Sequence, residues 1–458
     1  MKRFLVLSTL MIIHFSLSAQ HQFWVVEVPI FKSAPDSIAY TTSQAIFQKM
    51  VAGQIKHLPA DSVLNVMRMI GERSIIGKRK TYHTSPNFFP FDSMSVINNT
   101  DQITKLSISN TKIKRLPKEV LKCKNLEFLE LANTPIKRLS KLNKLPNLKS
   151  VYILNSKQLK PLKLSKTKSI KTFGMRGENP TNLPKSFRKL SRLEKLDLAD
   201  NKLTQFPSGI RDNKFLKEIL LSSNSLTLED GHMEGSASLE KIELQKNKIK
   251  MIPASIDGFP NLKKLTLNFN AIEKVADEIS TLTKLEQLSF YNNKLTSLPD
   301  GIYNLSGLKE IDLYFNQIER IDDRLGNLKA LEVLFLSNNK LVSLPEAVGS
   351  MPNLKELYLS NNRLSDLPKS MSKLNDLRVL RINNNYLTQV PGDLLKLNSL
   401  ENIDISSNRI TELPEEVVGL EHLKLLVMMN NPWDSPSKER LPTFTEKLRK
   451  KDVVVHSD

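Results

Sequence analysis

The sequence predicts an α/β solenoid with one long parallel β-sheet on its concave face and an irregular or short-helical convex side. Two observations predict it. Asn201, Asn224, Asn247, Asn270, Asn293, Asn316, Asn339, Asn362, Asn385, Asn408 and Asn431 follow one another at a constant spacing of 23 residues. Ahead of each, apolar residues alternate as in Leu331-x-x-Leu334-x-Leu336, the period-two pattern of a short strand with one buried face. A third observation bounds the answer: with 40% hydrophobic and 25% charged residues, the 458-residue chain has the composition of ordered globular protein. Repetition replaces separate cores by stacked units.

In chain order, Met1-Lys2-Arg3, the apolar run Phe4 to Phe15 and the small residues Ser16 to Ala19 have the layout of a secretory signal peptide, with Gln20 as the first mature residue. The apolar run is too short for a membrane helix; an uncleaved N-terminal anchor is the other reading. Residues 20–102 do not repeat and are read as an N-terminal capping region, with a small separate binding module as the alternative. Phe23 to Ile30 reads as a strand. Ser43 to Val51 and Asp61 to Ile70 read as helices, the second opened by Asp61-Ser62. Arg73 to Phe91 is basic and aromatic with turn signals.

Repeats occupy 103–433: fourteen full units and a truncated fifteenth at Leu423. Leu331, Leu334 and Leu336 point inward from the strand, and the residues between them face outward. Asn339 sits where the chain leaves the strand, and its amide is suited to backbone groups of the neighbouring turns, which are costly to bury unpaired. Leu344-Pro345 opens the outer arc, where few backbone donors need partners. The first units carry Thr111, Thr134, Ser156 and Glu178 at the asparagine position, and the Glu229 to Gly235 stretch lacks Leu-Pro and is expected to be looser. At ~4.8 Å per strand the sheet should run on the order of 70 Å. Asn431-Pro432-Trp433 closes the last unit. Residues 434–458 are read as a C-terminal cap with a helix from Thr445 to Lys451 and a strand at Val453 to Val455.

The frame L-x-x-L-x-L-x-x-N-x-L, with Leu-Pro in the second half of a 23-residue unit, resembles the Ras-group class of leucine-rich repeats over Ile103 to Trp433. The resemblance implies a horseshoe fold and a binding role. The class is mostly intracellular in animals and plants, so its partners are not carried over to a chain with a signal peptide. Secreted animal relatives cap their ends with paired cysteines, whereas Cys123 is the single cysteine here. That departure, by resemblance, implies a bacterial protein that is secreted, periplasmic or at the cell surface.

No residues assemble into a catalytic pattern, and no cofactor, metal or small-molecule substrate is expected. The seven histidines lack metal-ligand spacing. Gly71 to Arg79 is a poor phosphate loop, with one residue too many between glycines and Arg79 in place of Ser or Thr. Some secreted bacterial effectors join a cysteine-dependent ubiquitin-ligase domain to leucine-rich repeats. Here Cys123 falls at a position expected to be buried, and the 25 residues after Trp433 are too few for such a domain.

Two surfaces are candidates for a partner. Phe269, Tyr291, Tyr314, Phe315, Phe335 and Tyr358 fall at outward positions of neighbouring units, as in a protein-binding hot spot; Glu332, Lys355, Glu356 and Arg378 would rim them. For Phe269 and Phe315, beside the ladder asparagine, local packing over the turn is an equal alternative. The second surface is basic. Residues 101–192 hold 23 Lys plus Arg against 5 Asp plus Glu, an excess of 18 in a chain of net charge +19. Lys114, Arg115, Lys137, Arg138, Lys141, Lys160 and Lys163 lie on the flank, suited either to an acidic glycan, lipopolysaccharide or membrane phosphates or to solubility alone. Export argues against nucleic acid. A protein partner held by the concave face is the leading expectation.

Overall fold

The computed structural model describes residues 24–31, 75–83, 88–90 and 100–458, apart from 137, 157–162, 179–184 and 229–231. The signal-peptide region, both expected N-terminal helices, Lys137, Lys160 and the start of the Glu229 to Gly235 stretch lie outside the described residues.

The chain forms two compact units, one holding nearly all of the first 97 residues and the other the repeats. In the first, Trp24–Phe31 pairs antiparallel with Ile75–His83, with Trp24 opposite His83. The strand expected near Phe23 is present, but the stretch read as turns contains its partner. The run of Lys and Arg there conceals a strand, because consecutive charged residues leave no apolar alternation to read in the sequence. Gly77-Lys78-Arg79 lies inside that strand rather than in a phosphate loop.

In the second unit, sixteen short strands from Lys105–Ser109 to Val454–His456 form the solenoid sheet. Its register repeats: Asp312 pairs with Phe335 and Phe335 with Tyr358, all in parallel. Each strand of the regular units is three residues long with a buried centre, as in Val333–Phe335 around Leu334. Leu331, Leu334, Leu336 and Leu341 are fully buried. Leucine at these positions fills the space between sheet and outer arc, and stacking on the next unit completes the burial that one unit cannot achieve.

Asn339 shows why the turn is asparagine. Its Nδ2 donates to the carbonyls of Leu336 at 3.0 Å and of Leu313 in the preceding unit at 2.9 Å, and its Oδ1 accepts the N–H of Ile318 at 3.0 Å. Glu178, which breaks the pattern, is buried, accepts the N–H of Ser156 and donates its own N–H to Asn201 Oδ1 at 3.0 Å. The outer arc begins with Pro345 in extended conformation and continues as one 3₁₀ segment, Glu346–Ser350. At Gly349 a side-chain carbon would stand 2.2 Å from the carbonyl of Ser370, so glycine lets successive arcs approach. The stretch expected to be loose is tight where described: a carbon added to Gly235 would lie 2.6 Å from Gly258 Cα, and Met233 is buried.

The last helix runs over Ser435–Arg449 rather than from Thr445. Asp434 caps it, Oδ1 accepting the N–H of Ser437 at 2.7 Å, and Pro436 sits in the first turn, where its missing donor is harmless. Val454–His456 then adds to Leu425–Val427 in parallel. Trp433, Phe444, Leu448 and Val455 are buried around this end.

Candidate binding face

Each strand leaves the sheet through one left-handed residue, immediately before the ladder position. Asn fills it at Asn292, Asn338, Asn361 and Asn384, as expected of the residue that best tolerates positive φ after glycine. Phe269 and Phe315 occupy the same position with φ of 54° each, and Lys246 with 56°. Both phenylalanines are exposed, at 43% and 44%.

The six aromatic residues form two groups. Tyr291 and Tyr314 stack at 5.5 Å and 7°; Phe269 meets Tyr291 edge-on at 5.0 Å, and Phe315 meets Tyr314 edge-on at 4.6 Å. Phe335 and Tyr358 stack separately at 4.7 Å on the sheet itself. Asp312 adjoins both groups, paired in register with Phe335 and two residues before Tyr314. Its carboxylate accepts from Ser289 Oγ at 2.9 Å and from the N–H of Tyr314 at 3.0 Å. Burial, with Glu310 nearby, pushes the Asp312 carboxyl above the ordinary range against the effect of those hydrogen bonds. Tyr358 donates to Glu356 at 2.7 Å, and burial together with that bond pushes its hydroxyl up to about 12.

At the start of the strands the sequence holds a pattern that the reading above names only in part, as Glu332, Lys355 and Arg378. Glu194, Lys217, Glu240, Lys263, Glu286, Lys309, Glu332 and Lys355 alternate in sign from unit to unit. Glu240 bridges Lys217 at 3.2 Å and Lys263 at 2.9 Å, and Lys355 meets Glu332 at 2.6 Å. Lysine hydrogen bonds hold the carboxyls of Glu240 and Glu332 below the ordinary range. The signal was available as a 23-residue period in charge. The sequence reading also missed the exposed Met429, just after the Leu425–Val427 strand, and Val454 on the last strand, because its aromatic criterion passes over aliphatic residues.

On the flank, Lys114, Arg115, Arg138, Lys141 and Lys163 are exposed. Arg115 pairs in parallel with Arg138, and Arg138 with Lys163, so three cations of successive units stand side by side. Cys123 is buried, its thiol pushed up chiefly by that burial, which disfavours the nucleophilic thiolate. Among the described residues no His, Cys, Asp and Glu cluster is arranged to hold a metal, and no helix is long and apolar enough to cross a membrane.

Leucine-rich-repeat family profiles match residues 192–213 and, in overlapping windows, 216–432. Comparison with curated proteins finds no match. Among solved structures, a leucine-rich-repeat protein of Leptospira interrogans is similar with 28% identity and a TM-score of 0.66, over 81% of this chain and 92% of that one. An internalin of Listeria monocytogenes shares the fold at 18% identity and a TM-score of 0.50, over 78% of this chain and 87% of its own. Drosophila Toll, solved as the Toll–Spätzle complex, does so at 21% identity and 0.53, over 82% of this chain and 59% of its own. Repeat frame, ladder, parallel sheet and profile matches agree that this chain is a leucine-rich-repeat protein.

Proposed function

We propose that this protein is an exported bacterial binding solenoid that holds a protein partner on the concave face, with the rings of Phe269, Tyr291, Tyr314, Phe315, Phe335 and Tyr358 at the contact. The observation that carries the reading is the exposed pair Phe269 and Phe315 in left-handed backbone where asparagine is the commonest residue. Left-handed conformation costs roughly 1–2 kcal/mol for a residue with a Cβ, a cost that binding would offset. Rigid aromatic surface gains contact area at little entropic cost. The repeat fold supports binding over chemistry, and the Toll complex shows the same fold engaging a protein.

The test is retention of proteins from cell-envelope and cell-surface extracts on residues 20–458, at low and high salt, beside Tyr314→Ala/Phe335→Ala/Tyr358→Ala. One protein retained at high salt and lost with the variant supports the reading. Equal retention by both sinks it.

A second reading rests on Arg115, Arg138 and Lys163. Like charges in register on neighbouring strands repel, and no acid among the described residues pairs with them. An acidic glycan or envelope phosphate would relieve that repulsion. Binding of heparin-like polymer that disappears between low and high salt, and with Arg115→Gln/Arg138→Gln/Lys163→Gln, supports it; salt-insensitive binding counts against it.

A further inference from the structure

We infer that the group gripped at the junction of the two aromatic stacks is a cationic side chain, so that the partner presents an arginine- or lysine-bearing segment. This rests on the protein-binding reading above and specifies its chemistry.

The inference comes from which carboxylates of the sheet face have cations and which do not. Asp197 is bound by Arg176 at 2.6 Å, Glu218 by Lys195 at 3.0 Å and Glu243 by Lys241 at 2.7 Å. Around the rings the pattern stops. Glu310 is met by the neutral amide of Gln287 at 2.8 Å, Asp312 by Ser289 and a backbone N–H, and Glu356 by Tyr358. Among the described residues no Lys or Arg forms an ion pair with any of the three. The rim lysines are already occupied, Lys309 by Glu286 at 3.1 Å and Lys355 by Glu332 at 2.6 Å. Arg381 borders the patch, in register with Tyr358, without pairing to Glu356.

The outward strand positions from Gln287 to Ser360 thus carry three carboxylates and no cation, in a chain whose net charge is +19. Three carboxylates without ion-pair partners at the contact disfavour an anionic partner and favour a basic one. Ring geometry fits the same occupant. Phe335 neighbours Asp312 across the sheet and Tyr314 follows it by two residues along the strand, and ring faces attract a guanidinium or ammonium within about 6 Å. Each oxygen of Asp312 accepts one hydrogen bond, Oδ2 from Ser289 and Oδ1 from the N–H of Tyr314, neither donor carries a charge, and a cation beside the rings would meet its negative charge. A neutral sugar would use the rings but leave the three charges unanswered.

The experiment is selection of a random phage-displayed peptide library on the full chain, followed by titration of the best synthetic peptide and its Arg/Lys→Gln analogue. Asp312→Asn, which removes the charge, keeps one oxygen to accept the N–H of Tyr314 and turns its amide NH2 to Ser289 as a donor, and Tyr314→Ala are titrated in parallel, with circular dichroism to verify folding. The expected result is enrichment of Arg and Lys, and affinity about tenfold lower for the Gln analogue and for Asp312→Asn. Selected peptides that lack basic residues, are lost with Tyr314→Ala and ignore Asp312→Asn would overturn the cation while leaving the aromatic contact standing. Peptides indifferent to Tyr314→Ala overturn both. Neutral glycans bound in a Tyr314-dependent way on a glycan array, or concentration-dependent dimerisation lost with Tyr314→Ala, would each assign the face to another occupant and overturn the inference.

Discussion

At the scale of single residues, the turn after each strand separates what the backbone wants from what the surface does. Phe315→Asn and Phe269→Asn put the preferred residue into left-handed backbone. Each should raise stability by roughly 1 kcal/mol in chemical denaturation while weakening partner binding; a loss of stability would mean the rings hold the turn. Asn339→Ala does the reverse. It leaves the carbonyls of Leu313 and Leu336 and the N–H of Ile318 without their partner, at a cost of about 3 kcal/mol. Amide exchange should show the damage concentrated in the units around Asn339, because contacts in a solenoid are between neighbours. The ladder was legible in the sequence because one residue type repeats at one spacing. The left-handed position beside it was not, since Asn, Ser, Asp, Lys and Phe all occur there and only the backbone reveals what they share.

At the scale of elements, the alternating Glu and Lys row specifies how units stack. Slipping a strand by one repeat would bring like charges together, so the row favours one register over others. Glu240→Lys should lower the melting temperature, since it faces Lys217 and Lys263 with a third cation, and should do so more than Glu240→Gln, which removes the attraction without adding repulsion. Equal losses from the two variants would remove the pairing from the account. The same row makes an acid-sensitive element. The folded-state carboxyls of Glu240, Glu332 and Glu401 lie below the ordinary glutamate value of 4.5. A lowered carboxylate contributes stability that is present above the unfolded value and lost as pH falls through the folded one. Melting temperature should therefore drop below about pH 4.5, and added salt should blunt the drop because these groups are exposed. The terminal helix gives the opposite lesson about legibility: Pro436 and Pro442 obscure its first turns in sequence, yet the Asp434 cap and the burial of Ser437 begin it at Ser435.

For the whole molecule, stability is the sum of units plus the interfaces between them, so the ends matter more than their length. Removing residues 434–458 would uncover the contacts around Trp433 and Leu426 and leave the Leu425–Val427 strand without its Val454–His456 neighbour. Lower solubility and a lower melting temperature are expected, measured by light scattering and calorimetry; an unchanged melt would show that the last repeats need no cover. Charge is also a property of the whole. The excess of 18 in residues 101–192 and the acids near Asp312 without ion pairs give the repeats two regions of different sign preference.

The sequence by itself determined the solenoid, the unit length, the inward leucines and the candidate rings. Each depends on residue type at a fixed period, and a repeat converts period directly into position. Only the tertiary structure decided how outward residues of different units meet. It split the six rings into two stacks, placed Asp312 beside both and set Arg115, Arg138 and Lys163 side by side. Neighbours across the sheet are a full repeat apart in the chain, and their contacts are fixed by strand register and backbone hand rather than by local composition.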